Sequence, residues 1–250
     1  MNPAGPATSF TPGARYFDAI YGARGKDYAS EADYVANLIQ RTKRSSGNRL
    51  LETACGTGRH TAFFARHFEV VGLDKDAEML KIAGTRVPGV AFCCADMVSF
   101  DIGRRFDAVV CLFSSIGYVR KLELLRQAIH TMRNHLVPGG VLAIEPWMPP
   151  EEFKPGRVFA TFVDEPTLKV ARMNVNVMRD RMSILDFHYL VCTPDGVQHF
   201  TEHHEVGLFT PQEYVDAFRD AGLETSFDPP GVIGRGLHVG ICPSVSVIDE

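Results

Sequence analysis

The chain has 250 residues, 45% apolar and 22% charged, which suits one large globular domain or a domain with an elaboration and excludes disorder and collagen-like repeats. A formal net charge of −4 offers no basic excess to a phosphate backbone, so no nucleic-acid partner is expected. No apolar run reaches the roughly 18 residues that would indicate a membrane span, and 1–13 has neither the basic nor the apolar segment of a secretory signal.

Residues 1–14, rich in Pro, Ala, Gly and Thr, are expected to form a mobile arm. A helix is predicted to open near Ser30, where Ser30 and Asp33 have capping-box spacing and Ala32, Val35, Leu38 and Ile39 follow as one apolar face. After a polar break at 41–48 the pattern alternates. Strands are predicted at 49–54, 69–73, 90–95, 106–113 and 141–145. Helices are predicted at 61–67, 76–86 and 123–136, the last stopped by Pro138-Gly139-Gly140. Strands alternating with helices give a mostly parallel sheet covered on both faces.

Over 157–209 the period changes from helical to two. Met173, Val175 and Val177 alternate with asparagines, Leu185, Phe187, Tyr189 and Val191 alternate again, and Pro194-Asp195-Gly196 makes a turn. This predicts an inserted antiparallel meander. Thr210 then caps a helix with Pro211 in its first turn, Tyr214, Phe218 and Ala221 face the core, and Gly222 ends it. Two strands near 224–227 and 237–241 close the main sheet. The expected organisation is an arm at 1–14, an α/β core at 15–150, a meander at 151–209 contributing to the substrate site, and a return to the core at 210–250. Six cysteines without a C-x-x-C pair, mostly in apolar runs, indicate buried reduced thiols in a cytoplasmic protein rather than disulfides or a metal site.

The segment Leu50-Leu51-Glu52-Thr53-Ala54-Cys55-Gly56-Thr57-Gly58-Arg59 runs from strand through a glycine turn into a helix. Glycines there admit a ligand close to the backbone, and the helix start offers free N–H groups. Asp74 follows 18 residues after Gly56, at the end of the next strand, where a carboxylate can accept from both hydroxyls of a ribose. Thr61 stands where a dinucleotide fingerprint has its third glycine, which argues against a dinucleotide.

Glu52-x-Ala54-Cys55-Gly56-x-Gly58 resembles the first motif of class I S-adenosylmethionine-dependent methyltransferases. Gly72-Leu73-Asp74 resembles their second motif, Ala95-Asp96-Met97 their adenine-side motif, Phe106-Asp107-Ala108-Val109-Val110 their fourth strand, and Leu136-Val137-Pro138-Gly139-Gly140 the turn before the fifth. The resemblance implies a Rossmann-like seven-stranded methyltransferase sheet with a reversed last strand. It also implies that Asp74 takes the ribose, Asp96 the adenine amino group and the Ala54–Gly58 turn the methionine part.

Rarer strings narrow the family: Arg24-Gly25-Lys26-Asp27-Tyr28, Phe113-Ser114-Ser115-Ile116-Gly117-Tyr118, Glu145-Pro146-Trp147, His188-Tyr189-Leu190-Val191 and Gly234-Arg235-Gly236-Leu237. The set is similar to the N-methyltransferases of dTDP-linked 3-amino-deoxysugars in antibiotic pathways. It implies that Phe17, Tyr28, Ala54, Gly56, Gly58, Asp74, Asp96, Met97 and Leu112 serve the cofactor, and that Ser115, Trp147, Arg172 and Arg235 serve the sugar nucleotide. Arg235 suits a phosphate because a guanidinium pairs with it in a bidentate way. It is equally placed, by spacing alone, to be a solvated loop charge, and Ser115 to be a helix cap.

Three departures from the family stand out. Phe17 replaces a usual Tyr, and Tyr118 a usual His; in the arm only Ser9 and Phe10 stand near a position where the family tends to place a Tyr on the nucleotide. Candidate groups to take the amine proton are Tyr118, Glu145, His188, His203 and His204. Period two puts His204 on the apolar side of its strand with Phe200, Val206 and Leu208, and His203 on the other. Tyr118 and His204 are the expected catalytic pair, acting by positioning rather than as a single essential base. The alternatives are a methyltransferase for another small amine or hydroxyl, and a cofactor-binding protein without activity. A homodimer through the meander's strand edges is expected.

Overall fold

The computed structural model describes residues 12–244. Helices α1 (Ala14–Ala23) and α2 (Tyr28–Thr42) come first. Then follow β1 (Arg49–Thr53), α3 (Arg59–Phe64), β2 (Glu69–Asp74), α4 (Ala77–Arg86), β3 (Ala91–Cys94) and β4 (Phe106–Cys111). A short 3-10 helix (Ser115–Val119) leads to α5 (Leu122–Asn134) and β5 (Leu136–Ile144). Strands β6 (Val158–Glu165), β7 (Leu168–Arg179), β8 (Met182–Thr193) and β9 (Gly196–Gly207) precede α6 (Pro211–Asp220), β10 (Glu224–Asp228) and β11 (Leu237–Ile241).

The main sheet has seven strands in the order β10-β11-β5-β4-β1-β2-β3. β3, β2, β1, β4 and β5 are parallel, and β11 runs antiparallel to β5, the expected reversed last strand. Because successive strand residues point to opposite faces, Leu51, Val71 and Val109 pack under α5 and α6, while Leu50, Val70 and Val110 pack under α2 and α3. β6 to β9 form a separate antiparallel sheet. Its inner face holds Val163, Val170, Tyr189 and Val191 against Tyr16 and Ile20 of α1.

Several local expectations are corrected. Helix α2 opens two residues before Ser30: Asp27 is the cap, accepting from Ser30 N–H at 3.0 Å. An acidic cap at a helix start also suits the helix dipole. α3 begins at Arg59, not at 61. β5 begins at Leu136 and runs through Pro138-Gly139-Gly140, which bulges between the pairs Phe106–Leu136 and Ala108–Val141. Gly139 O there accepts from the Arg44 and Ser45 N–H groups, and Gly139 N–H donates to Cys242 O, so the breaker triplet is satisfied by tertiary partners. Within the expected arm, 1–11 lie outside the described residues, as do Ser9 and Phe10. Pro12 and Gly13 form a turn into α1, a helix that sequence periodicity missed. Of the cysteines, Cys55, Cys111 and Cys242 are buried, whereas Cys94 and Cys192 are exposed; all are free thiols.

The Thr210 cap is a full capping box, with Thr210 Oγ1 accepting from Glu213 N–H and Glu213 accepting in return from Thr210 N–H. Nearby, the buried His238 ring stacks on Tyr214 at 4.5 Å and touches Phe218 and Phe227. Burial pulls its pKa down from 6.5 to about 4. Between those values the unfolded chain binds a proton that the folded chain excludes. Stability is therefore full above pH 6.5 and falls as pH drops toward 4, by about 3 kcal/mol. Urea unfolding at a series of pH values should show this slope, and His238→Phe should remove it. An equal slope in the variant would assign it elsewhere.

Candidate functional site

Strand order reverses between β1 and β4, and an open α/β sheet receives ligands in the crevice outside the carboxyl ends of such a pair. A cavity of about 1930 Å³ opens there and extends to the inner face of the meander. The backbone is strained where the strands enter it: Ala54 has φ +54°, and Phe113 and Ser114 both have φ +56°. Non-glycine residues in this region cost about 1–3 kcal/mol each and concentrate at functional sites.

In the cofactor half, Gly56 (φ +54°) has no heavy atom within 4 Å of where a Cβ would sit, so its face is open to a ligand. Gly58 (φ +73°) does a different job. A Cβ there would lie 3.0 Å from the Ala83 Cβ, so it lets α3 start against α4 and does not line the cavity. Asp74 Oδ2 accepts from Gly56 N–H at 2.8 Å and Oδ1 from Asp76 N–H at 2.9 Å. Each oxygen keeps a second lone pair for a ligand. Burial pushes the Asp74 carboxyl up, and these backbone bonds oppose it. Phe17, Tyr28, Ala54, Met97 and Leu112 complete this wall. Asp96 does not: Ala95 and Met97 face the cavity, while Asp96 is exposed, its Oδ1 accepting from Val98 N–H.

Sequence reasoning missed the ionisable cluster below this wall. Glu31 Oε2 lies 2.5 Å from Lys26 Nζ and 2.7 Å from His60 Nε2. Glu52 Oε2 accepts from Thr61 Oγ1 at 2.5 Å, and His60 Nδ1 stands 3.9 Å from Glu52 Oε1. Burial pushes Glu52 up to about 8 and His60 down. The Tyr28 hydroxyl beside this cluster is buried without a hydrogen-bond partner. Thr61 thus has a positive reason to stand where a dinucleotide site has glycine. The only signal was the Arg24–Tyr28 string, whose lysine the fold turns inward.

The other half of the cavity carries Ser115, Tyr118, Trp147, Arg172 and Arg235. The Arg235 guanidinium lies 4.5 Å over the Trp147 ring, and its Nη1 donates to Ser114 Oγ at 2.8 Å. Ser114 in turn donates to Pro146 O. Arg235 is therefore held against the cavity wall and is no solvated loop charge. The serine that orients it is Ser114; Ser115 lines the cavity and opens the 3-10 helix. Arg172 is buried, 4.5 Å over Phe187 and 5.1 Å over Tyr21. Of the candidate bases, only Tyr118 lines the cavity. His188 stacks on His199 and His203 pairs with Asp186 on the outer face of the meander. Glu145 is buried, accepting from Phe113 N–H, with burial pushing its pKa up. His204 is fully buried behind Tyr118, whose hydroxyl is 3.2 Å from His204 Nδ1. Among the described residues no His, Cys, Asp and Glu group could hold a metal ion, and no helix is long and apolar enough to cross a membrane.

Residues 50–140 match the model of a methyltransferase domain family. The chain is 40% identical to a dTDP-3-amino-3,4,6-trideoxy-alpha-D-glucopyranose N,N-dimethyltransferase of Streptomyces venezuelae, over 91% of this chain and 97% of that one. It is 39% identical to a dTDP-4-amino-2,3,4,6-tetradeoxy-D-glucose N,N-dimethyltransferase of Saccharopolyspora spinosa, over 91% and 92%. The structure of S-adenosylmethionine-bound CalS10, an amino pentose methyltransferase of Micromonospora echinaspora involved in calicheamicin biosynthesis, superposes with a TM-score of 0.82 at 38% identity, covering 91% of this chain and 96% of that one. Since the likeness runs through both the sheet and the meander, the chain belongs to the S-adenosylmethionine-dependent N-methyltransferases of nucleotide-linked amino sugars.

Proposed function

We propose that the chain methylates the amine of a dTDP-linked amino-deoxysugar. The observation that carries this is one continuous cavity with the Asp74 carboxylate at one end and two fixed guanidinium groups at the other. At about 1930 Å³ it exceeds the roughly 300–1,000 Å³ of a single-ligand pocket and has room for two ligands. The residues fit the cofactor: Asp74 has lone pairs to spare, Gly56 is open, and the buried Tyr28 hydroxyl lacks a partner.

Asp74 would take the ribose hydroxyls, and Ala54, Gly56 and Tyr28 the methionine side, with Phe17, Met97 and Leu112 as apolar walls. When bound, S-adenosylmethionine supplies an electrophilic methyl group to a neutral amine by in-line displacement, the C–N bond forming as the C–S pair returns to sulfur. The protein contributes position. Arg235 and Arg172 neutralise the diphosphate, Trp147 and Ser115 shape the sugar site, and Tyr118 holds the amine. After transfer the ammonium loses its proton to water. The relatives act on 3-amino and 4-amino hexoses and an amino pentose, so the carbon bearing the amine here is set by the sugar pose. Paired dTDP-sugars that differ only in an amine or hydroxyl at one carbon test the reading. Methyl donor should be consumed with the amine alone; turnover of the hydroxyl sugar would favour O-methylation.

This activity would be cytoplasmic and belong to antibiotic biosynthesis. The outer face of the meander exposes Val158, Phe162, Met173, Val175, Leu190 and Val197, with Val158 paired directly to Val175. Exposed apolar side chains of this kind suit an interface, and we assign them to a second copy of the chain. Sedimentation should give a dimer at micromolar concentration, and Phe162→Asp with Leu190→Asp a folded monomer. A monomeric wild type would refute it.

A further inference from the structure

The hairpin loop 229–236, between β10 and β11, carries Arg235 to the cavity wall, and one carboxylate fastens its root. β10 and β11 make their last pair at Asp228 and Leu237. Asp228 Oδ2 accepts from the Tyr34 hydroxyl at 2.5 Å and from Gly231 N–H at 3.2 Å, and Oδ1 from Arg41 Nη2 at 3.2 Å. Tyr34 and Arg41 both belong to α2, so a helix near the start of the chain holds a loop near its end. Two further contacts shape the loop above this root. Gly231 is buried and so close to Gly236 that a Cβ on it would sit 2.5 Å from the Gly236 backbone. Val232 packs onto the same apolar core as Tyr34. From there the loop reaches Arg235, whose guanidinium rests on Trp147 and Ser114. Tyr28, Glu31 and Tyr34 recur three apart on α2 and all line the cavity. The helix face that builds the cofactor wall therefore also holds the root of the nucleotide-side loop.

We propose that Asp228 is a positioning residue for the diphosphate end of the site: through Tyr34 it fixes the root of the 229–236 loop and so sets where Arg235 stands. A carboxylate suits this task because it accepts at both oxygens, and donors from α2 and from the loop converge on it. The Arg41 bond is the weak member, since that side chain is 60% exposed and an exposed ion pair contributes little. The Tyr34 bond is the one that ties the loop to the helix. Without the carboxylate, the buried Gly231 loses the acceptor for its N–H and Tyr34 loses its partner. Gly231, Gly234 and Gly236 have φ of +52°, +77° and +77°, and glycines leave a freed loop many backbone conformations. Arg235 then spends less time on Trp147, and the preorganisation that suits it to a diphosphate is lost. Asp228 itself does not line the cavity, so its effect passes through the loop.

The inference rests on the sugar-nucleotide reading for its binding consequence but not for its first test. Trp147 is the single tryptophan of the chain and lies under Arg235, so its fluorescence in the ligand-free protein reports where the guanidinium stands. Acrylamide should quench it about twofold more strongly in Asp228→Ala, as in Arg235→Ala, because the stacked guanidinium no longer shields the ring. Tyr34→Phe, which loses one hydroxyl only, should show a smaller rise and serves where the alanine folds poorly. Wild-type quenching in both root variants would overturn the proposal whatever the substrate. Asp228→Ala should also weaken thymidine diphosphate binding about fivefold and leave S-adenosylmethionine binding unchanged. In the Arg235→Ala background the same change should have no further effect, since both act through one guanidinium. A loss that persists there, or that extends to S-adenosylmethionine, would make Asp228 merely structural and overturn the positioning role. If the wild type binds no thymidine diphosphate, the functional reading fails while the Trp147 signal still decides this one.

Discussion

Asp74→Ala should weaken S-adenosylmethionine binding by roughly 100-fold or more. The carboxylate presents two oxygens, each already aimed by one backbone N–H, Gly56 at 2.8 Å and Asp76 at 2.9 Å. Two hydroxyl donors to a charged acceptor contribute about 1.5–3 kcal/mol each, so about 3–6 kcal/mol is at stake, a factor of roughly 10² to 10⁴. The alanine also strands the Gly56 N–H and loosens the turn that the methionine side would occupy. Asp74→Asn keeps one acceptor oxygen and should lie between the two. Titration calorimetry reads both. An Asp74→Ala affinity within about threefold of wild type would mean that the ribose is held elsewhere.

Arg235→Ala should reduce thymidine diphosphate binding about 10- to 100-fold and leave S-adenosylmethionine binding intact. The size of the effect comes from preorganisation. Stacking on Trp147 and donation to Ser114 Oγ hold the guanidinium in place before the ligand arrives, so little side-chain freedom is lost on binding. Desolvation pulls its pKa down, and Glu145 opposes this, but an arginine stays charged at any working pH. Arg235→Lys should recover only a small part, since an ammonium neither stacks in the same way nor forks. No effect of Arg235→Ala on nucleotide binding would move the diphosphate to Arg172 or out of the cavity. With a formal net charge of −4, the protein has no basic field to compensate.

Where local chemistry decides the structure, the sequence was legible. The run from Leu50 to Gly58, Asp74 at the next strand end, Thr210-Pro211 at the α6 start and the period-two meander all carry their own physical signal. Where a distant partner decides, it was not. α1 shows little in sequence because Tyr16 and Ile20 bury against Val163, Val170 and Tyr189, far along the chain. Pro138-Gly139-Gly140 reads as a break, yet Arg44, Ser45 and Cys242 supply the backbone partners that let β5 pass through it. In the site, alternation along β9 correctly placed His204 inward. It did not reveal Glu202 on the same face, because a buried glutamate is intelligible only once Gly13 and Tyr189 are seen to satisfy it. The motif likeness assigned Arg235 to the substrate but not Ser114, which holds it, and put Asp96 in the cofactor wall that its neighbours line without it.

The most direct test of amino-sugar N-methylation is mass spectrometry of dTDP-linked 3-amino and 4-amino sugars after incubation with the protein and S-adenosylmethionine. One of them should gain one or two methyl groups on nitrogen, with matching release of S-adenosylhomocysteine. A protein that binds S-adenosylmethionine yet leaves every amino sugar unchanged would contradict the account.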